Sequence, residues 1–154
     1  MEIQEFLTAD KHTALEKELE NLKTVVRADI LERLAFAKSL GDLSENAEYH
    51  DSKESQGKNE ARISQIEYIL KNALVVEANT DGTIGLGSTV FLIKKGTDEE
   101  KTYQIVGNEE ADFSMGKISF ESPIGSALMY KQQGDEVAVV TPKGENKYQV
   151  KLVR

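Results

Sequence analysis

The chain has no cysteine, no tryptophan, only two histidines and no long apolar run. Without cysteine, disulfides and thiolate metal sites are excluded. A helix that crosses a bilayer needs about 20 mostly apolar residues in a row, so no membrane partner is expected. The opening Met1-Glu2-Ile3-Gln4-Glu5 is acidic where a signal peptide is basic, which makes a cytoplasmic protein the expectation. Cations are also short: 19 Lys and Arg face 27 Asp and Glu, for a net charge of −8. Binding to nucleic acid rests on Lys and Arg neutralising phosphates. Such a chain is a poor general binder of DNA or RNA, and another protein is expected to hold any nucleic acid it works on. Apolar residues at 39% and aromatics at 6% are lean for one large core in 154 residues, which favours a molecule in two parts. The histidines, His12 and His50, stand far apart along the helical pattern. No Ser-His-Asp arrangement and no phosphate-binding glycine loop is present, so no self-contained active site is expected.

What is there begins with a long helical pattern. Thr8 is placed to cap a helix from Ala9. Leu15, Leu19, Leu22, Val26, Ile30, Leu34 and Ala37 follow in steps of three and four, one face of a helix. No Pro or Gly interrupts it before Gly41, so it is predicted to run for about 30 residues, roughly 45 Å. A return helix is predicted from about Asn46 to Ala73, with the seam Tyr49, Ser52, Gln56, Asn59, Ile63, Ile66, Leu70 and Ala73. Folded at Gly41, the seams match along their length, as in an antiparallel coiled-coil hairpin. The seam is apolar at the base, whereas Ser52, Gln56 and Asn59 bury little apolar area nearer the tip. Gly57 reads either as a tolerant surface position or as a site of close packing, against Ile30 or a partner.

Between the helices lies Leu40-Gly41-Asp42-Leu43-Ser44-Glu45-Asn46. Asp42 and Glu45 have the spacing of a capping box, with Asp42 at the N-cap and Glu45 at the third helical position. Ser44 or Asn46 would cap equally well and leave both acids free. Two exposed carboxylates fall short of a metal cage, but Mg²⁺ commonly takes one or two carboxylates and keeps other ligands. They would suit a metal shared with a partner.

Residues 77–83 are polar and turn-rich and read as a linker between a hairpin over 1–76, with its tip near 41–46, and a second domain over 84–154. In that domain strands are predicted at 88–93, 102–106, 117–120, 136–141 and 147–153. Gly96-Thr97-Asp98 and Pro142-Lys143-Gly144 supply turns, and a short helix starts at Ser122-Pro123. The class is α+β: a helical hairpin, then a small, largely antiparallel sheet with one helix. Of the aromatics here, Phe91, Tyr103, Phe113, Phe120, Tyr130 and Tyr148, most are expected in the core.

The run Gly41-Asp42-Leu43-Ser44-Glu45-Asn46-Ala47-Glu48-Tyr49-His50 resembles the tip signature of the bacterial GreA/GreB transcript-cleavage factors. Gln56-Gly57-x-Asn59-Glu60-x-Arg62-Ile63 continues the likeness. So do Ile105-Val106-Gly107, Glu110-Ala111-Asp112-Phe113 and Ile118-Ser119-x-x-Ser122-Pro123-Ile124. It covers nearly the whole chain and departs from the family at Lys58, usually aromatic, and Ala61, usually Gly. The acidic total favours the GreA side over the more basic GreB side.

The resemblance implies a coiled coil that enters the secondary channel of RNA polymerase and a second domain of FK506-binding-protein (FKBP) type that docks on the enzyme. Asp42 and Glu45 would help hold a Mg²⁺ shared with the polymerase, which then cuts its own RNA; the isolated protein needs no cofactor and is not itself an enzyme. Nascent RNA and DNA are contacted only within that complex, and a monomer is expected. Candidate partner contacts are Ser44, Lys53 and Lys58 on the hairpin and Ser122, Pro123 and Ile124 on the second domain. Lys53, Lys58 and Arg62 read either as a partial basic stripe or, with Glu48, Asp51, Glu54 and Glu60 among them, as a solvated face of mixed charge. The alternatives are a channel-binding inhibitor or coiled-coil chaperone without cleavage stimulation, and a prolyl isomerase.

Overall fold

The structure is a computed structural model that describes residues 5–154. The chain divides into two compact units. One is residues 12–72. The other is residues 73–154 together with the described N-terminal segment up to Lys11.

The helical unit is built from α1 (Ala9–Asn21) beyond its first turn, a π-helical turn (Leu22–Val26), α2 (Arg27–Ser39) and α3 (Ala47–Asn72). The cap expected at Thr8 is present: its Oγ1 accepts from the Lys11 N–H at 3.2 Å. The first helix is not the uninterrupted α-helix the sequence predicts. From Leu22 through Val26 and Ile30 to Leu34 the apolar residues step by four three times, wider than a 3.6-residue turn allows on one face. A π-helical turn takes up the excess. There the Leu22 carbonyl accepts from the Arg27 N–H and from Asn59 Nδ2 on the other helix at 3.1 Å.

The helices run antiparallel, as their cross-links show: Glu18 pairs with Arg62, Arg27 with Glu60, and Arg33 with Asp51. Two of these are bidentate, Arg27 on Glu60 at 2.9 and 2.9 Å and Arg62 on Glu18 at 2.7 and 3.1 Å. Lys23 and Glu67 also pair. The seam buries Leu15, Ile30, Leu34 and Ala37 against Ser52, Asn59, Ile63 and Ile66. Leu70, expected on this seam, is only half-buried, and Ile69 beside it is the buried residue. Among the described residues, Ser52 Oγ and Asn59 Oδ1 are buried without a hydrogen-bond partner. Gly57 has open space where a Cβ would stand, so it does not pack closely against Ile30.

The second unit holds a five-stranded sheet in the order β5-β4-β3-β7-β6, formed by β3 (Thr89–Lys94), β4 (Glu99–Val106), β5 (Lys117–Ser119), β6 (Glu136–Thr141) and β7 (Gly144–Val153). Every pairing is antiparallel except β4 with β5. Alternation decides the core: Val90 and Leu92, Tyr103 and Ile105, Val137 and Val139, Tyr148 and Val150 all point inward. α4 (Pro123–Leu128) adds the fully buried Leu128. Its start follows the predicted chemistry: Ser122 Oγ accepts from the Gly125 N–H at 3.1 Å and donates to the Ser119 carbonyl at 2.6 Å, with Pro123 in the first turn.

Two strands have no counterpart in the sequence reading. β1 (Phe6–Thr8) and β2 (Leu74–Val76) pair in parallel, with Leu7 opposite Val75. Each is three residues long, too short for an alternation to declare itself. β1 packs closely on the sheet unit, where a Cβ on Gly107 would lie 1.9 Å from the Phe6 carbonyl oxygen. Two aromatics expected among the core candidates stand in solvent: Phe113 and Tyr130 are exposed.

Candidate functional site

α2 ends at Ser39, and Gly41 at φ +111° turns the chain where a side chain would be strained. α3 begins at Ala47. Its cap is Asn46, whose Oδ1 accepts from the Tyr49 N–H at 3.1 Å. The capping box between Asp42 and Glu45 is therefore not formed, and neither acid caps α3. Asp42 Oδ1 accepts from the Ser44 N–H at 2.9 Å and from the Ser44 hydroxyl at 2.8 Å. These two donors, the backbone one first, hold the Asp42 carboxyl below its ordinary range. The same local turn recurs at Asp81 with Thr83 and at Asp112 with Ser114. It is a self-sufficient piece of backbone chemistry that needs no partner.

Asp42 and Glu45 are both exposed. Among the described residues, the Glu45 carboxylate and Asp42 Oδ2 have no partner. His50 Nε2 lies 3.3 Å from the Ser44 carbonyl. Among the described residues no group of three or more His, Asp or Glu side chains is arranged to hold a metal ion. The donor set at the tip fits part of a Mg²⁺ shell: two ionisable oxygen ligands, one of them held in place by Ser44 and both open to solvent.

The cations of the candidate stripe are engaged. Lys58 pairs with Glu54 at 2.7 Å, and this bond pushes the lysine up and the glutamate down from their ordinary pKa values. Arg62 is bound by Glu18 across the hairpin, and Lys53 donates to Gln56 Oε1 at 3.1 Å. The face is one of mixed charge.

In the sheet unit, Ser122 and Ile124 join Ala111, Phe113, Lys117, Ile118 and Ser119 around a pocket of about 380 Å³. Pro123 is exposed beside it. Ser122 has its hydroxyl committed to the start of α4, so Ile124 and Phe113 supply the apolar surface. Phe113 is the one aromatic on that lining. Sequence reasoning did not assemble this pocket: residues 111–113 and 117–124 are brought together by the turn at Phe113–Met115 and by β5, which periodicity does not show.

A helical hairpin that ends in two exposed acids, and a second unit whose sheet bears an apolar pocket, define a two-unit factor. A family model described as "Transcription elongation factor, N-terminal" matches residues 5–75, and one described as "Transcription elongation factor, GreA/GreB, C-term" matches residues 79–154. The transcription elongation factor GreA of Pseudomonas aeruginosa is 47% identical over 151 residues, 96% of each chain. That of Cereibacter sphaeroides is 46% identical over 149 residues, 96% of this chain and 99% of the relative. Among solved structures, GreA factor homolog 1 (Gfh1) of Thermus thermophilus aligns over 99% of both chains at 29% identity and a TM-score of 0.44. The chain belongs to the GreA/GreB family of transcription elongation factors.

Proposed function

We propose that this protein is a transcription elongation factor that enters the secondary channel of RNA polymerase and stimulates the polymerase's own cleavage of backtracked RNA. Family membership supports the role. The observation that carries the mechanism is the tip: Asn46 caps α3, so neither Asp42 nor Glu45 is used as the helix cap and both are exposed.

The chain's own part in the chemistry is to bring and orient ligands. Asp42, ionised well into the acid range and fixed by Ser44, offers Oδ2; Glu45 offers its carboxylate three residues on. A Mg²⁺ held between these acids and the polymerase would stabilise the attacking and leaving oxygens of the cleaved phosphodiester. The nuclease is the polymerase, and this chain is an activator. Its net charge of −8 agrees with a protein that meets RNA and DNA only inside the polymerase complex.

The sheet unit is read as an FKBP-like docking domain, with the pocket of Ile124 and Phe113 facing the polymerase and Ser122 and Pro123 shaping its rim. Ser44, Lys53 and Lys58 are assigned to contacts within the channel. A cytoplasmic monomer fits this role, and no helix among the described residues is long and apolar enough to cross a membrane. The test is direct. Added to a halted, backtracked elongation complex, the protein should release short 3′ RNA fragments. A complex that binds the protein and releases none would favour a channel-binding inhibitor.

A further inference from the structure

At the tip, one uncharged side chain reaches both helices. Asn46 Nδ2 donates to the Ala37 carbonyl at 2.7 Å, while its Oδ1 accepts from the Tyr49 N–H at 3.1 Å. Ala37 is buried in the last turn of α2, and Tyr49 is in the first turn of α3. The ends of helices leave carbonyls and N–H groups short of partners; this amide satisfies the Tyr49 N–H and is a second donor to the Ala37 carbonyl, which also accepts from the Leu40 N–H at 3.2 Å. From residue 38 to residue 48, Asn46 is the only residue that is not exposed. The loop's other bonds stay local. Asp42 is held by Ser44, Gly41 N–H reaches back to the Lys38 carbonyl at 3.4 Å, and His50 touches the loop from α3 alone.

We propose that Asn46 is the positioning residue of the tip: its amide clamps the end of α2 to the start of α3 and so fixes where the loop presents Asp42 and Glu45. The proposal rests on the cleavage-factor reading above. Capping alone does not require asparagine, because Ser, Thr and Asp cap comparably. Only an amide carries a donor and an acceptor on separate atoms of one short side chain. Asp at this position would keep the acceptor for Tyr49 and turn a carboxylate oxygen toward the Ala37 carbonyl. Ser would keep the cap and leave that carbonyl with its local bond from the Leu40 N–H and no bond to the start of α3. Both changes separate the clamp from the cap.

The experiment uses the full chain with Asn46→Asp and Asn46→Ser, beside wild type and the double variant Asp42→Asn/Glu45→Gln. In the free protein, ¹⁵N relaxation of the amides of residues 40–46 should fall from rigid values, order parameters of about 0.85, toward about 0.6 in both Asn46 variants. Thermal unfolding should stay near that of wild type. In backtracked complexes at limiting Mg²⁺, cleavage should drop on the order of tenfold with polymerase binding retained, and excess Mg²⁺ should recover part of it. Rigid loop amides together with wild-type cleavage in both variants would overturn the proposal, as would losses that simply track lower melting temperatures. If the double acid variant cleaves as well as wild type, the underlying reading fails and this proposal with it. If the acids matter and Asn46 does not, only the clamp is wrong.

Discussion

Thr8 donates its hydroxyl to both carboxylate oxygens of Glu110, at 3.1 and 2.9 Å, across 102 positions of sequence. Both residues are buried, and Lys117 Nζ completes the group at 3.3 Å from Glu110. The same Thr8 oxygen caps α1. A buried carboxylate that loses one of its hydrogen-bond donors is left with part of its desolvation uncompensated. Thr8→Val keeps the shape and removes both roles. It should cost about 2–4 kcal/mol, from a charged hydrogen bond and a helix cap. Denaturant unfolding measures it, and a loss under about 0.5 kcal/mol, the range of an ordinary surface change, would show that water takes the place of the hydroxyl.

Two glycines should respond to alanine with opposite signs. Gly57 lies within α3 with open space around it, so Gly57→Ala should stabilise by up to about 1 kcal/mol through helix propensity. At Gly107 a new Cβ would meet the Phe6 carbonyl oxygen at 1.9 Å, so Gly107→Ala must push β1 away. A loss of roughly 2 kcal/mol or more is expected, in the range of overpacking. Melting temperatures of the two variants that move in the same direction would contradict this.

The hairpin seam should be uneven. Ile66 is fully buried, and Ile66→Ala should cost about 2–5 kcal/mol. Ser52 is as completely buried, but its hydroxyl has no partner among the described residues. Removing an unsatisfied polar group costs little and can stabilise. Ser52→Ala should therefore leave stability unchanged or raised, and a clear loss in equilibrium unfolding would reveal a bond that this hydroxyl makes.

The Asp42 carboxyl should titrate below the ordinary range, because donors from Ser44 favour its charged form. With a depressed folded pKa, this contribution to tip order is complete above the unfolded value near 3.9 and disappears as pH falls through the folded one. Ser44→Ala removes the hydroxyl and keeps the backbone donor, so the midpoint should rise part of the way. Carbon-detected NMR titration of Asp42 gives the answer, and identical midpoints in the two proteins would remove the hydroxyl from the tip.

Much of this was legible in the residues. Thr8, Ser122-Pro123 and the alternation of residues 148–152 each carry a local signal strong enough to survive folding; Val137-Ala138-Val139-Val140 reads as a short buried run, yet Ala138 and Val140 are exposed. The acid-bearing loop was legible too, but its cap was not decided. Asp42, Ser44 and Asn46 all have side chains that cap helices, and the choice fell to Asn46 because it alone also reaches Ala37. That second bond joins residues nine apart through a turn whose shape the sequence does not state. The π-helical turn escaped because single steps of four look ordinary and only a succession of them forces the helix to widen. β1 and β2 escaped because the whole helical hairpin lies between them in sequence, and a pairing that distant has no local pattern.

The central claim is that Asp42 and Glu45 act as ligands and not as structure. Since Asn46 is the cap, Asp42→Asn with Glu45→Gln should leave folding and polymerase binding near wild type. Cleavage of a backtracked transcript, measured against Mg²⁺ concentration with binding followed in parallel, should fall on the order of 10²-fold or more, about 2.7 kcal/mol of barrier. Part of it should return at high Mg²⁺, and the variant should compete with wild type for the channel. Unchanged cleavage by the double variant at limiting Mg²⁺ would contradict the claim.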